Sequence, residues 1–441
     1  MPLQWSRYLR VRRKNGVVAL FHDLHPSPLY FSDNKWKRLE TCSMRVIPQK
    51  VLNELLTKKL VISSEENDDA EYLLASAKLL KKLNQPEILY LMLSQKCNFG
   101  CHYCPSKASL SQSEKCLSRK DAIAGISLWL AHLKDIVDSE TDYYVIFYGG
   151  EPLLNCEVME DVLVYLKGLR EKGGLPLSRL NLMVTTNGSL VDENFLRLCR
   201  EYDLLVAVGL DGPPEINDIY RPDAEGKSTY AQTVKAIKAL VCHGVKTFAS
   251  VTITPHNIDQ LESYSQFFGE LGVEKFGFNF LKGKALLEIV GVDGLDRYYK
   301  QASQAVIANA KHHGDYQMEK KVEAFNNQDF FPVDCTCYGN QLVILANGQV
   351  SNCPFAREGL GTVHGLASDF RIWNTPIVTE WRKRLPLHHP GFHHDDFKSL
   401  CGAGCAWGCR ELTGDLMAID ESNRVFTQEV FDELIWSKFK S

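Results

Sequence analysis

The sequence has no long hydrophobic run and no segment typical of protein export. No stretch approaches the roughly 18 consecutive apolar residues of a membrane-spanning helix, so no membrane span is expected. The residues after Met1 are polar and basic, without the apolar core and cleavage site of a secretory signal. These absences predict a cytoplasmic protein in a reducing compartment, where disulfides are rare.

The chain also lacks a strong excess of either charge. Its 50 Lys and Arg residues nearly balance 54 Asp and Glu residues, which gives a net charge of −4 at pH 7. Nucleic-acid-binding proteins are usually basic, so no nucleic acid is expected as a partner. The short basic segment from Arg7 to Lys14 is expected to be solvated surface. A length of 441 residues predicts two or three domains.

Cysteine, in contrast, is abundant. Fourteen Cys in a chain without a secretory signal favour metal ligation over disulfides. Three of them, Cys97, Cys101 and Cys104, are separated by three and two residues. Because thiolates are the usual ligands of iron–sulfur clusters, this triplet can hold three irons of a [4Fe-4S] cluster. The fourth iron would then be open to a small molecule.

Strands and helices alternate from Glu87 onwards. The strands are almost continuously apolar, as expected for a parallel sheet that is covered on both faces. Strands are predicted at Glu87–Ser94, Tyr143–Gly150, Leu180–Gly188, Leu204–Gly212, Lys246–Thr254 and Lys275–Leu281. Linking helices are predicted at Arg119–Lys134, Cys156–Arg170, Asp192–Arg200, Tyr230–His243 and Ile258–Leu271. This α/β order predicts a partial (β/α)6 barrel of the TIM type over residues 86–325.

Residues suited to chemistry follow four of these strands. The Cys triplet follows the first strand, Gly149-Gly150-Glu151-Pro152 the second, Asn187-Gly188 the third and Asp211-Gly212 the fourth. Parallel α/β folds place their sites at the carboxyl ends of the strands, so one shared site is predicted there.

Residues 1–85 do not share this alternation and are predicted to form a separate module. A hairpin, two helices and a short strand are predicted at Val17–Phe21, Leu29–Phe31, Lys35–Leu39, Pro48–Lys59 and Leu60–Ser63. This order favours a small winged-helix-like module, with a structural cap on the barrel as the alternative. The acidic run from Glu65 to Asp69 is predicted to begin a linker helix.

The triplet, with Tyr103 before its last Cys, and the Gly-Gly-Glu-Pro loop resemble the radical S-adenosylmethionine (SAM) superfamily between Glu87 and about Leu281. The resemblance implies that Cys97, Cys101 and Cys104 hold a [4Fe-4S] cluster whose fourth iron binds SAM. One electron would then cleave SAM to methionine and a 5′-deoxyadenosyl radical, which removes a hydrogen from the substrate. A donor such as flavodoxin or ferredoxin is expected to supply that electron.

The same resemblance implies seven contacts to SAM. Glycines permit close approach of the backbone, and the Glu151 carboxylate suits the SAM ammonium. Arg221 matches the partner of the SAM carboxylate in the subgroup with a Cys-rich C-terminal extension, the SPASM subgroup. Gly209 departs from that subgroup, which usually has a Ser there. The implied contacts are Tyr103, Gly149, Gly150, Glu151, Gly209, Arg221 and Leu281, of which Leu281 fits a core position at least as well.

Residues 326–441 form a predicted SPASM-like extension. Asn347-Gly348 favours a hairpin before Cys353, and Gly348-x4-Cys353 and Cys405-x3-Cys409 resemble the SPASM pattern of auxiliary-cluster ligands. The metal-ligand candidates in this region are Cys335, Cys337, Cys353, Cys401, Cys405 and Cys409.

The C-terminal pattern is also incomplete, because the run is Cys401-x3-Cys405-x3-Cys409 and no Cys follows. We therefore expect at least one auxiliary [4Fe-4S] cluster, with Cys335, Cys337, Cys353 and Cys409 as the favoured ligands. A second cluster would need Cys401, Cys405 and a further ligand, for which the histidines at 388, 389, 393 and 394 and Asp395 are nearby. A four-cysteine zinc site is the alternative.

Two substrate classes compete. One is a ribosomally made peptide that acquires a thioether, a carbon–carbon link or an epimerised residue; the other is a sulfatase that acquires formylglycine. Sulfatase-maturing enzymes begin almost at the Cys motif and carry an Asp base after the hairpin Cys, whereas here Pro354 follows Cys353. We therefore expect a peptide-modifying enzyme whose N-terminal module binds a leader as an added strand. A non-catalytic iron–sulfur protein is the alternative from another class.

Overall fold

The computed structural model describes residues 2–65, 69–106, 115–134, 136, 140–173, 178–313, 315–329, 331–356, 358–367 and 369–439. Residues 66–68 of the predicted acidic run therefore lie outside the described ranges.

The N-terminal residues form two small sheets and two helices. Strands β1 (Leu3–Trp5), β2 (Leu9–Lys14), β3 (Val17–His22), β4 (His25–Ser32) and β5 (Val61–Ser63) pair as β1–β5 and β2–β3–β4, all antiparallel. The pairing of Val18 with Phe31 confirms the predicted hairpin. Helices α1 (Asp33–Thr41) and α2 (Gln49–Thr57) also match the predicted positions.

Strand β2 is the basic segment that was expected to be solvated surface, and that expectation is wrong for two of its residues. Asn15 and Gly16 both have positive φ, as a two-residue hairpin turn between β2 and β3 requires. Arg10 pairs with the buried Asp23, and Arg12 pairs with Asp396 and Asp432. The segment therefore contacts the C-terminal part of the chain rather than solvent alone.

The predicted strand–helix alternation is present in the central region. Strands β6 (Ile88–Ser94), β7 (Tyr143–Gly149), β8 (Leu180–Thr186), β9 (Leu205–Gly209), β10 (Lys246–Thr252) and β11 (Lys275–Asn279) are parallel neighbours. The helices of this region are α3 (Asp69–Leu83), α4 (Arg119–Leu133), α5 (Cys156–Glu171), α6 (Glu193–Glu201), α7 (Pro214–Tyr220), α8 (Tyr230–Cys242), α9 (Tyr264–Glu270), α10 (Lys284–Val290), α11 (Leu295–His313) and α12 (Tyr316–Asn327). The α/β class and the mostly parallel sheet of a partial barrel are confirmed.

The C-terminal region extends the same sheet. Strand β12 (Gln341–Ile344) pairs in parallel with β6, and β13 (Val350–Ser351) pairs antiparallel with β12 across the predicted Asn347-Gly348 turn. The sheet therefore has eight strands in the order β11-β10-β9-β8-β7-β6-β12-β13. Helices α13 (Pro376–Arg382), α14 (Ala406–Thr413) and α15 (Glu421–Ser437) complete the described fold.

Alternation along the strands separates the helix-packed core from the barrel interior. Leu89, Leu91 and Leu93 of β6 are fully buried, together with Trp129 of α4. Tyr90 on the same strand is only half-buried, because it lies on the opposite face of the sheet. In the part of the chain that the structure describes, no helix is long and apolar enough to cross a membrane.

Candidate active site

The Cys triplet lies on the loop that follows β6, at the carboxyl end of the sheet. Cys97, Cys101 and Cys104 are half-buried and form no disulfide. The backbone N–H of Phe99 and the side-chain amide of Asn187 donate to Cys97 Sγ at 3.4 and 3.8 Å. Burial raises the pKa of Cys97 to about 11, so its thiolate needs compensating positive charge. Three free thiols with an N–H donor directed at sulfur fit the thiolate ligands of an iron–sulfur cluster.

A distant segment holds this loop in place. The N–H groups of Gly100 and His102 donate to the carbonyls of Pro222 and Tyr220 at 2.8 and 2.9 Å. In the other direction, the N–H of Ala224 donates to the carbonyl of Asn98 at 3.1 Å. These hydrogen bonds bring residues 220–222, which include Arg221, against the Cys triplet.

The Gly-Gly pair positions the start of the same loop. The N–H groups of Gly150 and Glu151 donate to the carbonyls of Ser94 and Lys96 at 2.7 and 2.8 Å. A Cβ at Gly149 or Gly150 would overlap one of these carbonyl oxygens, and Gly149 has a φ of +150°. Glycine is therefore required here by the close approach of two backbones.

Glu151 is fully buried and joins the ends of β7 and β8. Its Oε1 accepts from the N–H of Leu153 at 3.0 Å and from the hydroxyl of Thr186 at 2.7 Å, while Oε2 accepts from the N–H of Asn187 at 2.8 Å. Burial raises the pKa of the carboxyl, and these three donors act in the opposite direction. Oε2 has a single donor, so it keeps acceptor capacity for a cation or an ammonium group.

Arg221, Tyr103 and Asp211 form one network beside the triplet. Arg221 Nη1 donates to the Tyr103 hydroxyl at 2.8 Å, and that hydroxyl donates to Asp211 Oδ2. The guanidinium lies directly over Gly209. Leu281, in contrast, is 2% exposed within the hydrophobic core, and its N–H donates to Tyr298. The structure thus brings together all the predicted SAM contacts except Leu281, which has a core environment.

Sequence analysis missed the tyrosines of the barrel interior. Tyr90 and Tyr148 face inward from β6 and β7, with ring centroids 6.2 Å apart. Phe355, two residues after Cys353, lies 6.2 Å from Tyr148 and 5.3 Å from Trp407. The signal in the sequence was the alternation along β6 and β7, which puts Tyr90 and Tyr148 opposite the helix-facing residues.

Four C-terminal cysteines, Cys335, Cys337, Cys353 and Cys405, influence one another's pKa. The interaction between Cys335 and Cys337 lowers the pKa of Cys335, whereas burial and the same interaction raise that of Cys337. Burial raises the pKa of Cys353 and raises the pKa of Cys405 to about 12. For both thiols the second-largest cause of the increase is the charge of nearby Cys335. Cys405 N-caps α14, where its sulfur accepts from the N–H of Gly408 at 3.2 Å.

Cys401 and Cys409 have different surroundings. Arg384 Nη2 donates to Cys409 Sγ at 3.3 Å, and Asn423 Nδ2 donates to Cys401 Sγ at 3.4 Å. Asp395 forms an ion pair with Arg424. Within the described ranges, no three His, Cys, Asp or Glu side chains are grouped as the ligands of a single metal ion.

Lys282 connects the last barrel strand to the C-terminal cysteines. Its Nζ lies 2.7 Å from Asp420 Oδ2 and donates to Ser422 at 2.6 Å. Asp420 Oδ2 also accepts from the N–H of Cys405 at 2.8 Å. The Asp420 carboxylate therefore links the segment after β11, through Lys282, to the start of α14, through the N–H of Cys405.

The family model of the radical SAM superfamily matches residues 91–268. The radical SAM cyclopropyl synthase TigE of Paramaledivibacter caminithermalis is 21% identical over 84% of this chain and 79% of its own. The subtilosin biosynthesis protein AlbA of Bacillus subtilis is 24% identical over 71% of this chain and 65% of its own. A serine-type anaerobic sulfatase-maturating enzyme of Bacteroides thetaiotaomicron is 28% identical over 42% of this chain and 44% of its own.

Two solved structures share the fold. The structure of anSMEcpe with bound AdoMet has a TM-score of 0.62 at 20% identity and covers 79% of this chain and 98% of its own. Streptococcus suis SuiB bound to the precursor peptide SuiA has a TM-score of 0.51 at 14% identity, with coverages of 96% and 100%.

The triplet, the Gly-Gly-Glu-Pro loop and the partial barrel, together with the family model over residues 91–268, identify a radical SAM domain in this chain. Its similarity to TigE, AlbA and the sulfatase-maturating enzyme supports a SPASM-like subgroup.

Proposed function

We propose that this enzyme modifies a ribosomally made peptide by radical SAM chemistry and binds the leader of that peptide at its N-terminal module. The supporting observation is a groove of about 330 Å³ between β4 and the helices that follow it. Leu29, Tyr30 and Phe31 of β4 form one wall, and Val51 of α2 lies opposite them.

The groove suits an added strand. Among the described residues β4 pairs only with β3, so its other edge is unpaired. An extended peptide pairs with such an edge through main-chain hydrogen bonds and places alternate side chains in the groove. Within this proposal, β2–β4 with α1 and α2 are the winged-helix-like module.

The lining also favours a particular leader chemistry. Lys35 and Lys50 border the apolar wall, with Glu54 as the only acidic side chain of the lining. A segment with apolar residues and at least one Asp or Glu would match this surface.

The residues of the central site fit a SAM-binding cluster. In the proposal, Cys97, Cys101 and Cys104 are its ligands, Gly149, Gly150 and Glu151 face the SAM amino group, and Arg221 faces the SAM carboxylate. When bound, the cluster supplies the electron that cleaves SAM to the 5′-deoxyadenosyl radical. The inward-facing Tyr90 and Tyr148 exclude water and orient the substrate beside this site.

An auxiliary [4Fe-4S] cluster is proposed at the close group of C-terminal cysteines. The sequence favoured Cys335, Cys337, Cys353 and Cys409, but the observed neighbourhood supports Cys405 as the fourth ligand. Cys409 accepts a hydrogen bond from Arg384, and Cys401 accepts one from Asn423. Because Cys405 is the one of these three cysteines that influences the pKa of both Cys337 and Cys353, we assign it with Cys335, Cys337 and Cys353 to one auxiliary cluster and leave Cys401 and Cys409 outside it.

The remaining parts of the proposal concern organisation and partners. The divisions at residues 85/86 and 325/326 separate the peptide-binding module, the barrel and the SPASM-like extension. The fourteen Cys form no disulfide among the described residues, which suits the reducing cytoplasm. The electron donor is a flavodoxin or a ferredoxin.

Anaerobically reconstituted protein tests the proposal. With SAM and dithionite it should form 5′-deoxyadenosine, and a C97A/C101A/C104A variant should not. Added precursor peptide should bind and become modified: a thioether or carbon–carbon link removes two hydrogens from it, whereas epimerisation exchanges one. Absence of 5′-deoxyadenosine from the wild type would refute the enzyme chemistry.

Maturation of a sulfatase is the second candidate, because a sulfatase-maturating enzyme is 28% identical and anSMEcpe shares the fold. A peptide containing the sulfatase Cys or Ser would gain formylglycine in that case. Formation of formylglycine, without modification of leader-bearing peptides, would replace the main proposal.

A further inference from the structure

Arg221 forms no ion pair with a carboxylate among the described residues, although Asp211 and Cys101 lie near enough to favour its charged form. The residue is 9% exposed, and its Nε has no hydrogen-bond partner among the described residues. The neighbouring acid, Asp211, is already occupied, because Oδ1 accepts from the N–H of Thr252 at 2.8 Å and Oδ2 from Tyr103. A buried guanidinium without a paired carboxylate is unfavourable until an anionic ligand binds.

Two features hold the guanidinium in this position. From one side the Tyr103 hydroxyl accepts from Nη1 and donates to Asp211. From the other side Gly209 leaves open the space that Nη2 occupies. A Cβ at Gly209 would lie 2.9 Å from both Cζ and Nη1 and would overlap Nη2.

The space at Gly209 does not arise from an unusual backbone. Gly209 is not among the glycines with positive φ and lies at the end of β9, where any residue is compatible with the strand conformation. The absence of a side chain at this position therefore matters for where the guanidinium lies, because a Cβ at residue 209 would force the end of the arginine side chain to move.

We propose that Tyr103 and Gly209 are positioning residues that orient Arg221 toward the carboxylate of SAM. The Tyr103 hydroxyl fixes the direction of the guanidinium. Gly209 has no side chain to contact the ligand, and this leaves room for the guanidinium beside the backbone of β9. This inference depends on the proposed SAM chemistry, and SAM itself is the probe that tests it.

The experiment is a SAM titration of reconstituted protein by calorimetry, with iron and sulfide content and thermal midpoint as structural checks. Y103F should raise the Kd for SAM about three- to tenfold, since it removes one hydrogen bond to a charged group. Y165F, on the outer helix α5, is the matched control and should leave the Kd unchanged.

A double-mutant cycle separates positioning from other roles of Tyr103. In an R221M background, Y103F should cause no further loss, because there is no guanidinium left to orient. An equal loss in both backgrounds would mean that Tyr103 contacts SAM in another way and would overturn the inference. An unchanged Kd in Y103F alone would overturn it as well.

Gly209 provides a test that leaves Tyr103 intact. G209S should weaken SAM binding by about tenfold or more in the wild type and have little effect in R221M, whereas G168S, at an open helical position, should have no effect in either. If G209S binds SAM as tightly as the wild type, the proposed role of Gly209 is wrong. Wild-type protein that fails to bind SAM would instead refute the proposed function.

Discussion

The carboxylate of Asp23 lies 2.6 Å from the ammonium of Lys398, and both side chains are buried. Arg10 reaches the same Asp23 oxygen at 2.6 Å, while Asp23 Oδ1 has no partner among the described residues. Phe21 and Phe431, with centroids 5.3 Å apart, pack nearby. The N-terminal module is therefore attached to the C-terminal region, not only to the barrel that follows it in sequence.

Removal of one member of this buried pair should destabilise the fold. K398M leaves the Asp23 charge compensated only by the more exposed Arg10, so we expect a loss of about 2–4 kcal/mol in the free energy of unfolding. Urea titration measures it. K383M, which breaks an exposed pair with Glu380, is the control and should cost less than about 0.5 kcal/mol. Equal losses in the two variants would contradict the importance of the Asp23 contact.

The assignment of the auxiliary cluster predicts a pattern of iron content. In a C97A/C101A/C104A background, about four irons per chain should remain. A further C405A substitution should remove them, whereas C409A or C401A should retain most of them. Iron and sulfide quantification after anaerobic reconstitution gives the answer. Loss of iron in C409A but not in C405A would restore the ligand set favoured by the sequence alone.

Stability should depend on pH through His132. Its Nδ1 contacts the Leu128 carbonyl at 2.8 Å and its Nε2 accepts from the N–H of Ile372 at 3.1 Å, so both ring nitrogens of the neutral form are used. Burial lowers the pKa of His132 from 6.5 to about 4. Since the unfolded chain takes up the proton first, this contribution is full above pH 6.5 and is lost as the pH falls toward 4.

The expected loss from this histidine is about 3 kcal/mol between pH 6.5 and 4. Unfolding free energies measured across that range should show a shallower pH dependence in H132Q than in the wild type. H393Q, at an exposed position, should keep the wild-type slope. An unchanged slope in H132Q would exclude His132 as the cause.

Gly149 should be essential for the cluster loop. G149A places a Cβ against the Ser94 carbonyl at a positive φ, which displaces the segment that begins the Cys triplet. We expect the loss of about four irons per chain, the first cluster, and of 5′-deoxyadenosine formation. G168A, in helix α5 with open space around it, should retain the iron and gain about 0.5–1 kcal/mol of stability.

Charge in the β4–α2 groove should control leader binding. K35E/K50E reverses the two basic side chains of the groove, so fluorescence anisotropy should show weaker binding of an acidic leader peptide by about tenfold or more. K37E, on the solvent side of α1, is the control for a charge reversal outside the groove. SAM cleavage without peptide should be the same in all three proteins. Equal leader affinity in K35E/K50E and K37E would argue against this groove.

The local pattern of the sequence was enough for the barrel and for the position of the first cluster. Both signals are local: the alternation of apolar strands with helices, and the Gly-rich segments after the strands, involve residues only a few positions apart. Spacing alone therefore located Cys97, Cys101, Cys104 and the Gly149–Glu151 loop. The Asn347-Gly348 turn was predictable for the same reason. Strand β2 was not predicted because its charged residues do not resemble the apolar pattern of a strand. The Asn15-Gly16 dipeptide after it is nevertheless an equally good signal for a hairpin turn.

Other features depend on contacts between segments that are far apart in the chain, and only the tertiary structure decided them. The addition of β12 beside β6, the ion pairs of Arg12 and the closeness of Cys405 to Cys335 all join residues without a local sequence relationship. Gly209 is the clearest example. In the sequence it is a departure from a family pattern, and in the structure it is the place where the guanidinium of a buried arginine lies against the backbone.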